Sequence, residues 1–113
     1  MALIFEERWF LPMMQALTTT FTSRFPEEQV DVSTIHSLVF TLKQGQTVIV
    51  KSGDSIIVDG QTVSTTLTQE EALKVTKGNV AVQWNWLYAN GARGGSRQKT
   101  FAVEDNLYKE VMT

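Results

Sequence analysis

Apolar residues recur along this chain in two rhythms. Over the first 25 positions, Phe10, Met14, Leu17, Phe21 and Phe25 follow one another at steps of four, three, four and four, with Trp9 and Met13 beside them. That spacing lays one apolar stripe along an amphipathic helix. Proline fits a helix only in its first turn, so Pro12 places the start near residue 11. Phe25-Pro26 places the end near residue 24, because a residue before proline is pushed out of the α region. Thr18, Thr19 and Thr20 are mediocre helix formers within that span.

From residue 36 the period falls to two. The stretch "HSLVFTLKQGQTVIVKSGDSIIVDGQTVSTTL" alternates β-branched or aromatic residues with polar ones, and Gln44-Gly45, Ser52-Gly53-Asp54 and Asp59-Gly60 punctuate it. Asp-Gly between two such runs is a hairpin signal, since the central residues of a type I′ turn take positive φ. Four antiparallel strands in one meander are expected at 36–43, 46–51, 55–59 and 61–67. The tetrapeptide "GQTV" occurs at 45 and again at 60, which marks two similar strand starts after turns. Residues 68–78 read as one short helix, with Thr68 as N-cap, Glu71 three residues on, acids early, Lys74 and Lys77 late, and Gly78 as the stop. A second hairpin follows. Val80, Val82, Trp84, Trp86 and Tyr88 share one face of a strand, and the return strand falls near 98–103. Leu107 with Val111, and Tyr108 with Met112, have helical spacing at the carboxy terminus.

This order lacks the alternation of strand and helix that builds parallel sheets. It predicts a single α+β domain over 1–113: an N-terminal amphipathic helix packed on an antiparallel sheet, made of a four-strand meander plus a C-terminal hairpin, with two further short helices.

With 42% apolar and 19% charged residues among 113, the chain can bury a core and lacks the composition of a disordered one. Charge is unevenly spread. Residues 1–71 carry four basic and nine acidic side chains, whereas 72–103 carry five basic and none acidic, inside a formal net charge of −2. Cysteine is absent, which excludes disulfides, thiolate nucleophiles and cysteine-based metal sites. Glu6 and Glu7 interrupt the first apolar run and no basic n-region precedes it, so it is read as mature sequence with no membrane span. A cytoplasmic protein is expected, or a virion component if the origin is viral. Small, cysteine-free, threonine- and glutamine-rich β domains with a long loop have the composition of assembly subunits, phage-like virion or mobile-element components included.

The basic island contains "WNWLYANGARGGSRQK", residues 84–99, where large aromatics adjoin glycines and Arg93, Arg97 and Lys99. Trp, Tyr and Arg are enriched in protein-binding hot spots, so Tyr88, Asn90, Arg93, Arg97 and Lys99 are the candidate contact for a protein partner or another copy of the chain. The acidic acceptor in such a homo-oligomer is Glu27, Glu28 and Asp31, in a head-to-tail contact. Single-stranded nucleic acid is the alternative partner, bases stacking on the aromatics while Arg and Lys follow phosphates. It conflicts with the expectation that the Trp84 and Trp86 face packs under the first helix, because buried rings cannot stack on bases. An enzyme is the third class and is not expected. His36 is the sole histidine, no nucleophile motif accompanies it, and Asp54, Asp59, Glu70 and Glu71 sit where turn and helix-cap chemistry uses them. No metal-ligand spacing or phosphate-loop motif is present, so no metal or cofactor is expected.

Overall fold

The longer strands form where β-branched and aromatic residues alternate with polar ones, and glycines at positive φ turn the chain at residues 45, 53, 60 and 91. The computed structural model describes residues 4–6, 13–14 and 18–104. Among them the strands are β1 (Ile4–Glu6), β2 (Met13–Met14), β3 (Thr19–Arg24), β4 (Ile35–Gln44), β5 (Thr47–Ser52), β6 (Ile56–Asp59), β7 (Thr62–Leu67), β8 (Gly78–Tyr88), β9 (Arg93–Gly95) and β10 (Lys99–Glu104). One short helix, α1 (Gln69–Ala72), joins β7 to β8. The strands make two sheets, ordered β1-β3-β7-β6 and β2-β10-β8-β4-β5, with β9 on β8 beside β10. All pairings are antiparallel except β10 with β2.

Phe21, Val63 and Leu67 from the first sheet meet Phe40, Leu42, Ile49, Val80, Val82, Trp84 and Trp86 from the second in one buried cluster. Aromatic edges set the spacing. Phe21 lies 5.0 Å from Phe40, Phe25 lies 5.1 Å from Trp86, and Phe40 lies 4.9 Å from Trp84. Trp84 Nε1 donates to Ser23 Oγ at 2.8 Å, so a polar bond crosses the core without leaving an orphan.

The fold is therefore mostly β, and the α+β expectation with an N-terminal helix packed on the sheet is corrected. Within the expected helix, residues 19–24 are strand β3, antiparallel to β7. The reason lies in the ambiguity of the spacing. An i, i+4 step such as Phe21 to Phe25 suits a strand face as well as a helix stripe, and Thr19, Thr20 and Thr22 favour the strand. Burial alternates accordingly: Phe21 and Ser23 point inward, Thr20 and Arg24 outward. Residues 15–17 and the expected carboxy-terminal helix lie outside the described residues.

The four middle strands fall close to their expected limits but form no single meander. β4 and β5 make one hairpin in the second sheet, and β6 and β7 another in the first. A 3₁₀ turn at Gly53–Ser55 carries the chain across, with Gly53 at φ +60°, and Thr65 Oγ1 donates to the Ser55 carbonyl at 2.8 Å to fasten it. Both "GQTV" copies do start strands after turns: Gly45 and Gly60 take φ of 56° and 60°, and Thr47 and Thr62 open β5 and β7. The second turn is centred on Gly60-Gln61, one residue beyond the expected pair.

The capping box of α1 is formed as its sequence implies. Thr68 accepts from the Glu71 amide and Glu71 accepts from the Thr68 amide. The helix nonetheless stops at Ala72, short of the expected residue 78, because Val75 is fully buried in the core and Thr76 is held by another element. Gln44, at the end of β4, donates to the Thr76 carbonyl at 2.8 Å and accepts from its amide at 2.8 Å. Gln61 does the same for the segment after β3, donating to the carbonyls of Phe25 and Val30 and accepting from the Val32 amide.

Lys51 points inward from β5 and meets Glu71 at 2.6 Å. Burial raises the Glu71 pKa, but the hydrogen bond from Lys51, the Thr68 amide and the Lys51 charge together outweigh it and hold the carboxyl below its ordinary value. A carboxylate with a depressed folded pKa stabilises the fold above its unfolded pKa, and that contribution is lost as pH falls through the folded value. Glu71→Gln keeps the cap and removes the charge. It should cost about 1 kcal/mol at pH 7, given the partial exposure of the pair, and the gap to wild type should close below the ordinary carboxylate range. Urea melts of both proteins at pH 7 and pH 3 measure it; an equal gap at both would remove the ion pair from the account.

Candidate interaction site at the hairpin tip

Trp84 and Trp86 are 0% and 2% exposed, so the aromatic half of the 84–99 segment belongs to the core. Tyr88, half-buried, meets the Trp86 ring edge-on at 6.4 Å. Beyond it the chain turns through residues 89–92. The Tyr88 amide donates to the Ala92 carbonyl at 2.8 Å, Gly91 takes φ +89° and returns its amide to the Tyr88 carbonyl, and Asn90 Oδ1 accepts from the Ala92 amide at 3.0 Å. Asn90 thus builds the turn that exposes it.

The glycines of "RGG" have a packing explanation. Gly94 stands opposite Trp86 in the β8–β9 ladder, and the indole fills the space where a Gly94 side chain would project. A Cβ there would collide with Nε1, Cε2 and Cζ2 of the ring. Trp86 Nε1 is buried with no hydrogen-bond partner among the described residues. At Gly95 a Cβ would come no nearer than 3.1 Å, to Asn85 Oδ1.

Between β9 and β10 the chain bulges. Gly95 pairs with Asn85 and Lys99 with Val82, so three residues, 96–98, oppose the two at 83–84. Ser96 fills the bulge. It is buried, its amide donates to the Trp84 carbonyl, its hydroxyl accepts from the Trp84 amide at 3.0 Å, and its carbonyl accepts from Gln83 Nε2 at 2.7 Å.

The extra residue separates the basic side chains. Arg93 faces outward opposite Leu87, whereas Lys99 stands opposite Val82 in the inward row and lies 5.9 Å from the Phe101 ring centroid. Arg97 is exposed within the bulge. Tyr88, Asn90 and Arg93 therefore lie close along the chain at the tip, with Tyr88 packed inward against the core, Arg93 on the outward face, Arg97 exposed in the bulge and Lys99 on the inward face. Among the described residues neither guanidinium has an ion-pair partner.

The expected acidic acceptor lies at the same end of the molecule. Glu27 and Glu28 are exposed in a turn, and Asp31 caps the 3₁₀ turn Val32–Thr34, accepting from the Ser33 amide and hydroxyl. The Thr34 carbonyl then accepts from the Ala89 amide at 2.9 Å, tying that loop to the tip. Ion pairs between the two are absent among the described residues. His36 is exposed at an irregularity in β4, and no cluster of three metal-ligating side chains occurs among the described residues.

One surface escaped the sequence reading. An open groove of about 560 Å³ runs between the start of β4 and β6, lined by Val32, Ile35, His36, Leu38, Ile56 and Val58 among others. Its signal was present in "SIIVD", a strand with apolar residues at consecutive positions, which is unusual for one with a solvated face.

No family model and no curated protein matches the chain.

Gly94→Ala should destabilise the fold by about 1–3 kcal/mol through overpacking against Trp86, with a change in tryptophan emission, while Gly95→Ala costs clearly less. Denaturant melts followed by fluorescence test this. Equal costs at the two positions would contradict the packing role of Gly94.

Proposed function

We propose that the chain is a non-enzymatic assembly module that binds a protein, another copy of itself included, through the tip formed by Tyr88, Asn90, Arg93 and Arg97, with Lys99 on its inner side. The observation that carries this reading is the pairing of a rigid base with unpartnered charge. The turn is closed by its own backbone and by Thr34, so Arg93 and Arg97 are presented at little ordering cost. A guanidinium fork is suited to carboxylates of a protein surface.

Nucleic acid is the weaker alternative. Sequence-tolerant binding to single strands uses exposed rings as stacking platforms, and Trp84 and Trp86 are withdrawn into the core.

If the partner is a second copy, the shared location of tip and acidic turn alters the expected geometry. Arg93 of one molecule meeting Glu27, Glu28 or Asp31 of another is answered by the same contact in reverse, which closes a two-fold pair where a head-to-tail contact would propagate.

Light scattering behind size exclusion, across protein concentration and at low and high salt, tests the self-association form. The wild type is expected to associate more at low salt, and Arg93→Ala/Arg97→Ala to be shifted to the monomer by at least about tenfold in concentration. A monomer under every condition removes the self-association form. Association unchanged in the double variant removes the tip.

A further inference from the structure

Among the described residues the large apolar side chains that stand exposed are Val48 (53%), Val50 (57%), Ile57 (65%) and Val58 (54%), and all lie on β5 and β6. These are the terminal strands of the two sheets on one flank, joined by the turn at Gly53–Ser55. Soluble proteins usually blunt such edges with lysine or proline. Here the one lysine, Lys51, is turned inward and committed to Glu71, and neither strand contains proline.

The groove lies on this flank, and the backbone of both its walls is open. Residues flanking a two-residue turn form a hydrogen-bonded pair, and such pairs alternate along an antiparallel ladder. Asp59 and Thr62 flank Gly60-Gln61, so Ile57 also bonds Ser64, and the backbone groups of Ile56 and Val58 point away from β7 into the groove. The Ile56 amide is taken by the Gly53 carbonyl, and among the described residues no backbone group takes the Ile56 carbonyl or either group of Val58 on that side. On the other wall, Gln44 and Thr47 flank Gly45-Gln46, so the even residues of β4 direct their backbone toward β5. β5 ends at Ser52, opposite Val39, and no residue of it stands opposite Leu38. Among the described residues no backbone partner takes the Leu38 groups on that side. Leu38, Val32 and Ile56 supply an apolar floor beneath these donors and acceptors.

Charge selects the occupant. Asp54 and Asp59 each adjoin a lining residue, both are exposed, and neither is paired with Lys or Arg among the described residues. Two copies of this flank laid edge to edge would bring like charges together, which disfavours a second copy.

We propose that the groove between β4 and β6 is a strand-addition site for an extended segment of a different protein, apolar at alternate positions and flanked by lysine or arginine. The segment continues the line of β5 beside Leu38, bonds the open edge of β6 through Val58, seats alternate side chains on the apolar floor, and sets its cations against the carboxylates of Asp54 and Asp59. This surface is separate from the hairpin tip and does not depend on it.

The test is to pan a displayed library of random nonapeptides against the full chain, then titrate the enriched synthetic peptides by fluorescence anisotropy. Enriched peptides are expected to alternate apolar residues between basic flanks and to bind less tightly as salt rises. Val58→Pro, which deletes an edge donor, should weaken them by about tenfold. Asp54→Lys/Asp59→Lys, exposed substitutions that leave the core untouched, should reverse the preference toward glutamate-flanked peptides. Arg93→Ala/Arg97→Ala should leave binding unchanged, which separates this site from the tip. An unenriched library, enriched peptides indifferent to both flank variants, or binding lost only in the tip variant would each overturn the proposal.

Discussion

The bond from Trp84 Nε1 to Ser23 Oγ joins the centres of the two sheets, and the geometry of the molecule depends on it. A fully buried indole must place its N–H on an acceptor or lose about 1–3 kcal/mol, so the rotation of β8 relative to β3 is fixed to within hydrogen-bond tolerance. Phe25 and Phe40 close on the same ring from the two sides, edge-on at 6.4 Å and 4.9 Å. The backbone of Trp84 is bound in turn by Ser96, so the bulge that orients the basic residues is anchored to the residue that holds the sheets together. Core and candidate site share one fixed point.

The middle of the fold was legible because its signals were local. Alternation over β4 to β7, glycines at turns that require positive φ, and the Thr68–Glu71 capping box each involve residues a few positions apart. What was not legible depended on partners distant in sequence. Residues 19–24 carry a spacing that a helix and a strand both satisfy, and only pairing with β7, about forty positions away, decides for the strand. Likewise nothing in "KSGDS" states that the chain changes sheets there. That follows from Thr65 and the Ser55 carbonyl meeting across the turn.

The same division applies to the site. Asn90, expected as a contact, also builds its own turn, whereas the inward face of Val80 to Trp86 could be read directly. The separation of Lys99 from Arg93 could not, since it results from one additional residue in a bulge whose only mark in the sequence is a serine. The groove was invisible for a related reason. It exists because β5 is shorter than β4 and because its chain leaves for the other sheet, and a relative length becomes a cleft only after pairing is known.

Gln44 and Gln61 have a role that reaches beyond fastening loops. Each uses a neutral amide, donating and accepting at once, where a small protein could have used a charged pair. An amide does not titrate and is not screened by ions, so the segments at 25–32 and 73–77 keep their attachment across wide changes of acidity and ionic strength. Among the described residues the one salt bridge joins Lys51 and Glu71. Loosening of these two segments therefore contributes little to a salt response measured in solution.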